Sequence, residues 1–122
     1  MITGILAPLA GGAGAVVRFI VDSEIAARHR RPYPIGTLLI NITGSFLLAI
    51  LTAVVVRWAP GQIELKTVVG TGFLGGFTTF STASVEAVRL WRATRPLTAL
   101  VLTVSMLLCS IAAAAAGWAV VM

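Results

Sequence analysis

The chain has 122 residues, of which 58% are hydrophobic and 11% charged, with a mean hydropathy of +1.01. A soluble domain usually carries about 25% charged residues, so the composition excludes one here and points to a membrane protein. The net charge of +5 does not imply nucleic acid, because the basic residues flank apolar runs, where lipid headgroups and topology account for them.

A bilayer-spanning helix needs about 20 mostly apolar residues. Four windows meet that length, roughly residues 2–21, 35–56, 68–88 and 97–121, and together they form one four-helix membrane domain over residues 1–122. The expected class is all-α integral membrane. Four short helices enclose little polar interior, so the chain is expected to oligomerise. The first span has no basic region before its apolar run and three spans follow it, which is unlike a cleavable signal peptide.

Span one carries Gly11-Gly12-Ala13-Gly14, without the following Lys-Ser/Thr of a phosphate-binding loop. Arg18 lies near its end. His29 sits among Arg28, Arg30 and Arg31 with no second His or Cys nearby, so it reads as a solvated loop residue and not as a metal ligand. The first and third loops hold Arg18, Arg28, Arg30, Arg31, Arg89, Arg92 and Arg95; the second holds Arg57 and Lys66. The positive-inside rule then places loops one and three in the cytoplasm and both termini outside.

In span two, Thr37, Asn41, Gly44 and Ser45 are spaced to share one helical stripe. Two readings stay open. Asn41 and Ser45 can join helices by hydrogen bonds while Gly44 allows close approach, or the stripe can line a polar pathway.

Span three is polar where a membrane helix is normally plain. Residues 70–82 read Gly-Thr-Gly-Phe-Leu-Gly-Gly-Phe-Thr-Thr-Phe-Ser-Thr. A helix in hydrocarbon breaks only where protein or a water-filled cavity receives the freed backbone groups, so this segment suggests a break at an ion site. Gly72 and Gly76 alone fit helix packing; Thr78, Thr79, Ser81, Thr82 and Ser84 go beyond it. Phe73, Phe77 and Phe80 recur at helical spacing, as lipid-facing bulk or as ring edges whose positive rims face an anion.

In span four, Thr103 and Ser110 share a face with Met106 between them, and back-bonding to the helix is the plainer reading of these hydroxyls. The run from Ala112 to Gly117 reads as a close-packing surface. Cys109 reads as a small buried hydrophobe.

No charged residue lies near the middle of any span. A proton-coupled carrier normally titrates an intramembrane carboxylate, and small four-helix multidrug exporters carry such a Glu in their first span; here there is none. No nucleophile–base pair, metal cluster or phosphate loop occurs, so the chain is not expected to be an enzyme. A passive path lined by donors implies an anion.

The chain resembles the CrcB (Fluc) fluoride channels along its whole length. Three motifs carry the resemblance: Gly11 to Arg18, Gly36-Thr37-Leu38-Leu39-Ile40-Asn41-Ile42-Thr43-Gly44-Ser45-Phe46, and the segment from Gly70 to Thr82. The resemblance implies a passive, fluoride-selective channel that exports cytoplasmic fluoride and relieves its toxicity. It implies an antiparallel, dual-topology dimer in the cell inner (plasma) membrane, with a broken third helix and pores at the subunit interface. It implies a structural sodium ion held by the backbone carbonyls of Gly75 and Thr78. Asn41, Phe80, Ser110 and Thr37 match the fluoride pathway, and Arg18 and Glu86 fall near the vestibules.

Two departures stand out. The family usually has a second aromatic three residues after Phe80, and this chain has Ala83. An antiparallel homodimer also favours evenly distributed basic residues, not seven against two. Together they lead to the expectation of a heterodimer with a related subunit of opposite orientation, with a homodimer as the simpler form. The competing classes are a small multidrug-type exporter and a non-conducting membrane subunit.

Overall fold

The computed structural model describes residues 1–29, 33–93 and 95–122; Arg30 and Arg31 of the first loop lie outside the described residues. The described residues form no strand. Three helices are long and apolar enough to cross a membrane: α1 (Thr3–Arg28), α2 (Ile35–Trp58) and α6 (Pro96–Val121). The fourth membrane segment is discontinuous. It comprises α3 (Ile63–Leu65), a nine-residue π-helical stretch (Lys66–Leu74), α4 (Gly75–Phe77) and, after a break, α5 (Ser81–Arg92).

The third span expected over residues 68–88 is therefore two half-helices that reach past both of its ends. At about 1.5 Å per residue, the 12-residue α5 covers about 18 Å, well short of a hydrocarbon core about 30 Å thick. α1 also runs further than the expected residue 21. Arg18, Asp22 and Glu24 do not end it, because polar residues suit a helix once it has left the hydrocarbon. It stops at His29, which takes an extended conformation.

The glycines decide how the segments meet. Gly14 of α1 lies so close to the Phe73 carbonyl that a Cβ there would overlap it, and a Cβ on Gly76 would overlap the Gly11 carbonyl. A Cβ on Gly72 would come within 2.7 Å of the Ala7 carbonyl oxygen. Backbone thus rests on backbone along the α1 seam, as small residues permit in membranes. The Gly72/Gly76 pair is accounted for by this packing.

α2 is the central element and touches every other long helix. Its Gly44 receives the Thr78 methyl, and the Phe46 carbonyl and Ala49 receive Gly117 of α6. Within the run ending at Gly117, Ala113 and Ala114 are half-buried, while Ala112, Ala115 and Ala116 face outward. The first half-helix leans on α1 and the second on α6. At the far end of α6, the Arg57 guanidinium donates to the carbonyls of Val121 (2.7 Å) and Met122 (3.0 Å), where the negative end of the helix dipole favours a cation.

Two sequence expectations are corrected. Cys109 is exposed on the outer side of α6, where lipid solvates it as well as a core would. The three phenylalanines do not share a face: Phe77 is buried, whereas Phe80 is 88% exposed. The chain breaks between them, so helical spacing no longer relates their directions.

The accessible surface is 7830 Å². A compact monomer of this mass would expose about 6,200 Å². The excess is apolar area left for lipid.

Candidate functional site

The break sits where the helix ladder gives way to side chains. Thr78 turns extended (φ −77°, ψ 157°), and its N–H and hydroxyl both donate to the Leu74 carbonyl, at 2.9 and 3.0 Å. In a continuous helix, the next N–H, on Thr79, would bond the Gly75 carbonyl. It donates instead to Asn41 Oδ1 at 2.8 Å, and Asn41 Nδ2 donates back to the Thr79 carbonyl at 2.8 Å. The amide of Asn41 thus stands in for a stretch of peptide backbone, and this fixes its orientation.

Thr79 is 8% exposed, and its side chain starts the second half-helix. Its hydroxyl oxygen accepts the Thr82 N–H at 3.1 Å and lies within hydrogen-bond distance of the Thr82 and Ser81 hydroxyls. This supplies one of the N–H partners that a helix start lacks. The Ser84 hydroxyl turns back onto the Phe80 carbonyl at 2.9 Å.

A groove of about 600 Å³ opens beside the break. Asn41, Thr78, Phe80, Ala83 and Ser110 all line it, joined by Gly44, Ser45, Thr103 and Met106. Among the described residues no charged one does so. Ser45 and Ser110 bring half-buried hydroxyls, and among the described residues neither has a hydrogen-bond partner. Thr103 is committed, donating to the Ala99 carbonyl at 2.8 Å, as the back-bonding reading expects. Asn41 Nδ2 makes a second contact, 3.3 Å to Met106 Sδ. A thioether is a weak acceptor, so this N–H is the one the groove has available for a better one.

The other expected site residues lie elsewhere. Thr37 is 1% exposed and is not part of the groove wall; its hydroxyl faces the Glu86 carboxyl, which also feels the charges of Asp22 and Arg89. Glu86 Oε2 is buried without a hydrogen-bond partner. Arg18 is half-buried on α1, and Gly75 lies exposed on the first half-helix, its Cα open to the outside. Sequence reasoning missed Thr79 and Met106. The hydroxyl-rich segment signalled the first; the second was marked only by its place on the face shared by Thr103 and Ser110.

A model of the family described as CrcB-like protein, Camphor Resistance (CrcB), matches residues 5–118. The fluoride-specific ion channel FluC 2 of Cutibacterium acnes is 56% identical over 81 residues, 66% of each chain. FluC 1 of Leifsonia xyli subsp. xyli is 43% identical over 109 residues, 89% of this chain and 79% of that one. FluC of Rhizobium leguminosarum bv. trifolii is 33% identical over 120 residues, 98% and 96% of the two chains. With the match running through every membrane segment and the broken third one, the chain is a multi-pass membrane protein that belongs to the CrcB family.

Proposed function

We propose that the chain is a subunit of a passive, fluoride-selective channel that lets fluoride leave the cell. The observation that carries this reading is the groove: five residues expected from three different segments meet in it, and its polar groups are amide and hydroxyl donors without a fixed charge. Fluoride is small and tightly hydrated. A pore that conducts it must replace its water with donors, yet hold it weakly enough for release. The second N–H of Asn41, the free hydroxyls of Ser45 and Ser110 and the edge of the exposed Phe80 ring suit that task. A Lys or Arg would bind anions more tightly and with less selectivity. Among the described residues no titratable group lines the groove, whereas a proton-coupled carrier normally titrates an intramembrane carboxylate. The relatives' names, fluoride-specific ion channel FluC, support the same reading.

The pore belongs to a dimer in this reading. One chain lines the groove on one side, and Phe80 projects from it at 88% exposure, a large apolar side chain that a second subunit would cover. The partner is antiparallel, placing the two breaks against each other. Ala83 lines the groove beside Phe80 and leaves it without the second ring. A related subunit of opposite orientation would supply that ring, which favours the heterodimer over the homodimer.

A structural sodium ion at the dimer centre completes the reading. The donor set fits: hard cations take several oxygen ligands, and unwound carbonyls are their usual source in broken membrane helices. Gly75 and Thr78 of one chain offer two carbonyls, so the shell needs the second chain. Bound there, the ion would supply a fixed positive charge joining the two breaks.

Fluoride-electrode recording of efflux from liposomes tests the reading. Liposomes holding this chain with an aromatic-bearing partner should release fluoride and retain chloride. Equal release of both ions, or of neither, would count against the proposal.

A further inference from the structure

The cation site proposed above needs two bare carbonyls, and a helix does not leave carbonyls bare. In an unbroken helix the Gly75 carbonyl would accept from the Thr79 N–H, and the Thr78 carbonyl from the Thr82 N–H. Both donors are taken by side chains. Asn41 Oδ1 holds the Thr79 N–H at 2.8 Å, and Thr79 Oγ1 holds the Thr82 N–H at 3.1 Å. Among the described residues no other N–H reaches either carbonyl across the break.

We infer that Asn41 and Thr79 are positioning residues for the cation: each withdraws from the helix ladder the N–H that would otherwise cover one of its carbonyl ligands. The inference rests on the proposed sodium site but assigns roles outside its carbonyl ligands, since each side chain acts on a backbone N–H. It gives Asn41 two functions on one amide. Its oxygen, with one N–H, sets the break; its other N–H, resting on Met106 Sδ, faces the anion groove. The cation and anion sites are then joined by a single side chain.

Three observations favour this over a break imposed by backbone strain alone. Thr78 is extended with a negative φ, a conformation open to any residue. Thr79 is buried, so the Thr82 N–H would lack a partner if the hydroxyl were removed, unless the helix closed back onto Thr78. Asn41 makes two reciprocal bonds to one residue, the arrangement that best outbids a helical N–H…O=C pair.

The test is the sodium dependence of thermal stability in detergent, at constant ionic strength with choline replacing sodium. Wild type should gain stability saturably as sodium rises, as binding to the folded state requires. Thr79→Val and Asn41→Leu should need at least tenfold more sodium for half of that gain. Thr79→Ser keeps the acceptor and should respond as wild type does. A merely structural role would lower every melting temperature and leave the sodium midpoint in place. Thr79→Val with an unshifted midpoint, or Thr79→Ser with a lost response, overturns the inference. Wild type indifferent to sodium overturns the cation site itself.

Discussion

Gly76 and Gly12 offer the same chemical change with opposite expected signs. A Cβ on Gly76 would overlap the Gly11 carbonyl oxygen and lie 2.7 Å from its carbon and 2.9 Å from its Cα. Ordinary contact begins near 3.4 Å, and the obstacle is backbone, which cannot swing aside as a side chain would. α1 and the first half-helix must therefore separate. That also opens the Gly72–Ala7 contact one turn away. Overpacking costs about 1–3 kcal/mol, and a seam of backbone on backbone places Gly76→Ala near 3. Gly12, one residue along α1 from Gly11, has no atom within 4 Å of its would-be Cβ. There Ala keeps all contacts and removes glycine's extra unfolded freedom, a gain of roughly 0.5–1 kcal/mol. Reversible unfolding by SDS in mixed micelles reads both values. The two variants should differ by about 4 kcal/mol, the gap between a cost near 3 and a gain near 1. Gly76→Ala as stable as wild type would refute the α1 seam and, with it, the placement of the break.

Further outcomes follow from the groove and the helix ends. Ala83→Phe should speed fluoride efflux from liposomes holding this chain alone by about tenfold, since aromatic contacts are worth about 0.5–1.5 kcal/mol; no change would mean that the missing ring is not what limits the chain. Met106→Leu removes the weak acceptor from Asn41 Nδ2 and should raise apparent fluoride affinity a few-fold without loss of folding, read from the concentration dependence of efflux. Arg57→Gln should loosen the last turn of α6 by about 0.3–1 kcal/mol, the usual worth of a cation at a helix C-terminus. Faster amide hydrogen exchange confined to that turn would report it.

Much of the fold can be read from the sequence because apolar length is a local property. The windows at residues 35–56 and 97–121 agree with α2 and α6 to within two residues. The break is announced by its glycines and hydroxyls. Its partners are not. Asn41 binds the backbone of Thr79, and a backbone partner leaves no mark in the residue code. Thr37 shares a stripe with Asn41 by spacing, yet one turn earlier that stripe has passed behind the groove wall and meets Glu86. The π winding depends on how Gly72 and Gly76 settle against α1, a tertiary match that no window of residues contains. Phe77 and Phe80 show the converse: a regular spacing that means nothing once the helix between them ends.

The π-helical stretch from Lys66 to Leu74 has a consequence for which changes of length the chain tolerates. In an α-helix four residues overshoot a full turn by about 40°; the wider π turn, closed five residues back, lessens that overshoot. Gly75 shows the winding directly, its N–H reaching the Gly70 carbonyl. Gly70 to Gly76 therefore form a calibrated spacer. Removing or adding one residue within it would rotate everything beyond by roughly a quarter of a turn, turning Gly76 away from Gly11 and the Thr79 N–H away from Asn41 together. Gly72 and Gly76 have no room for a Cβ; the other side chains along the spacer can vary in kind, but their number is fixed by two contacts that must both be met.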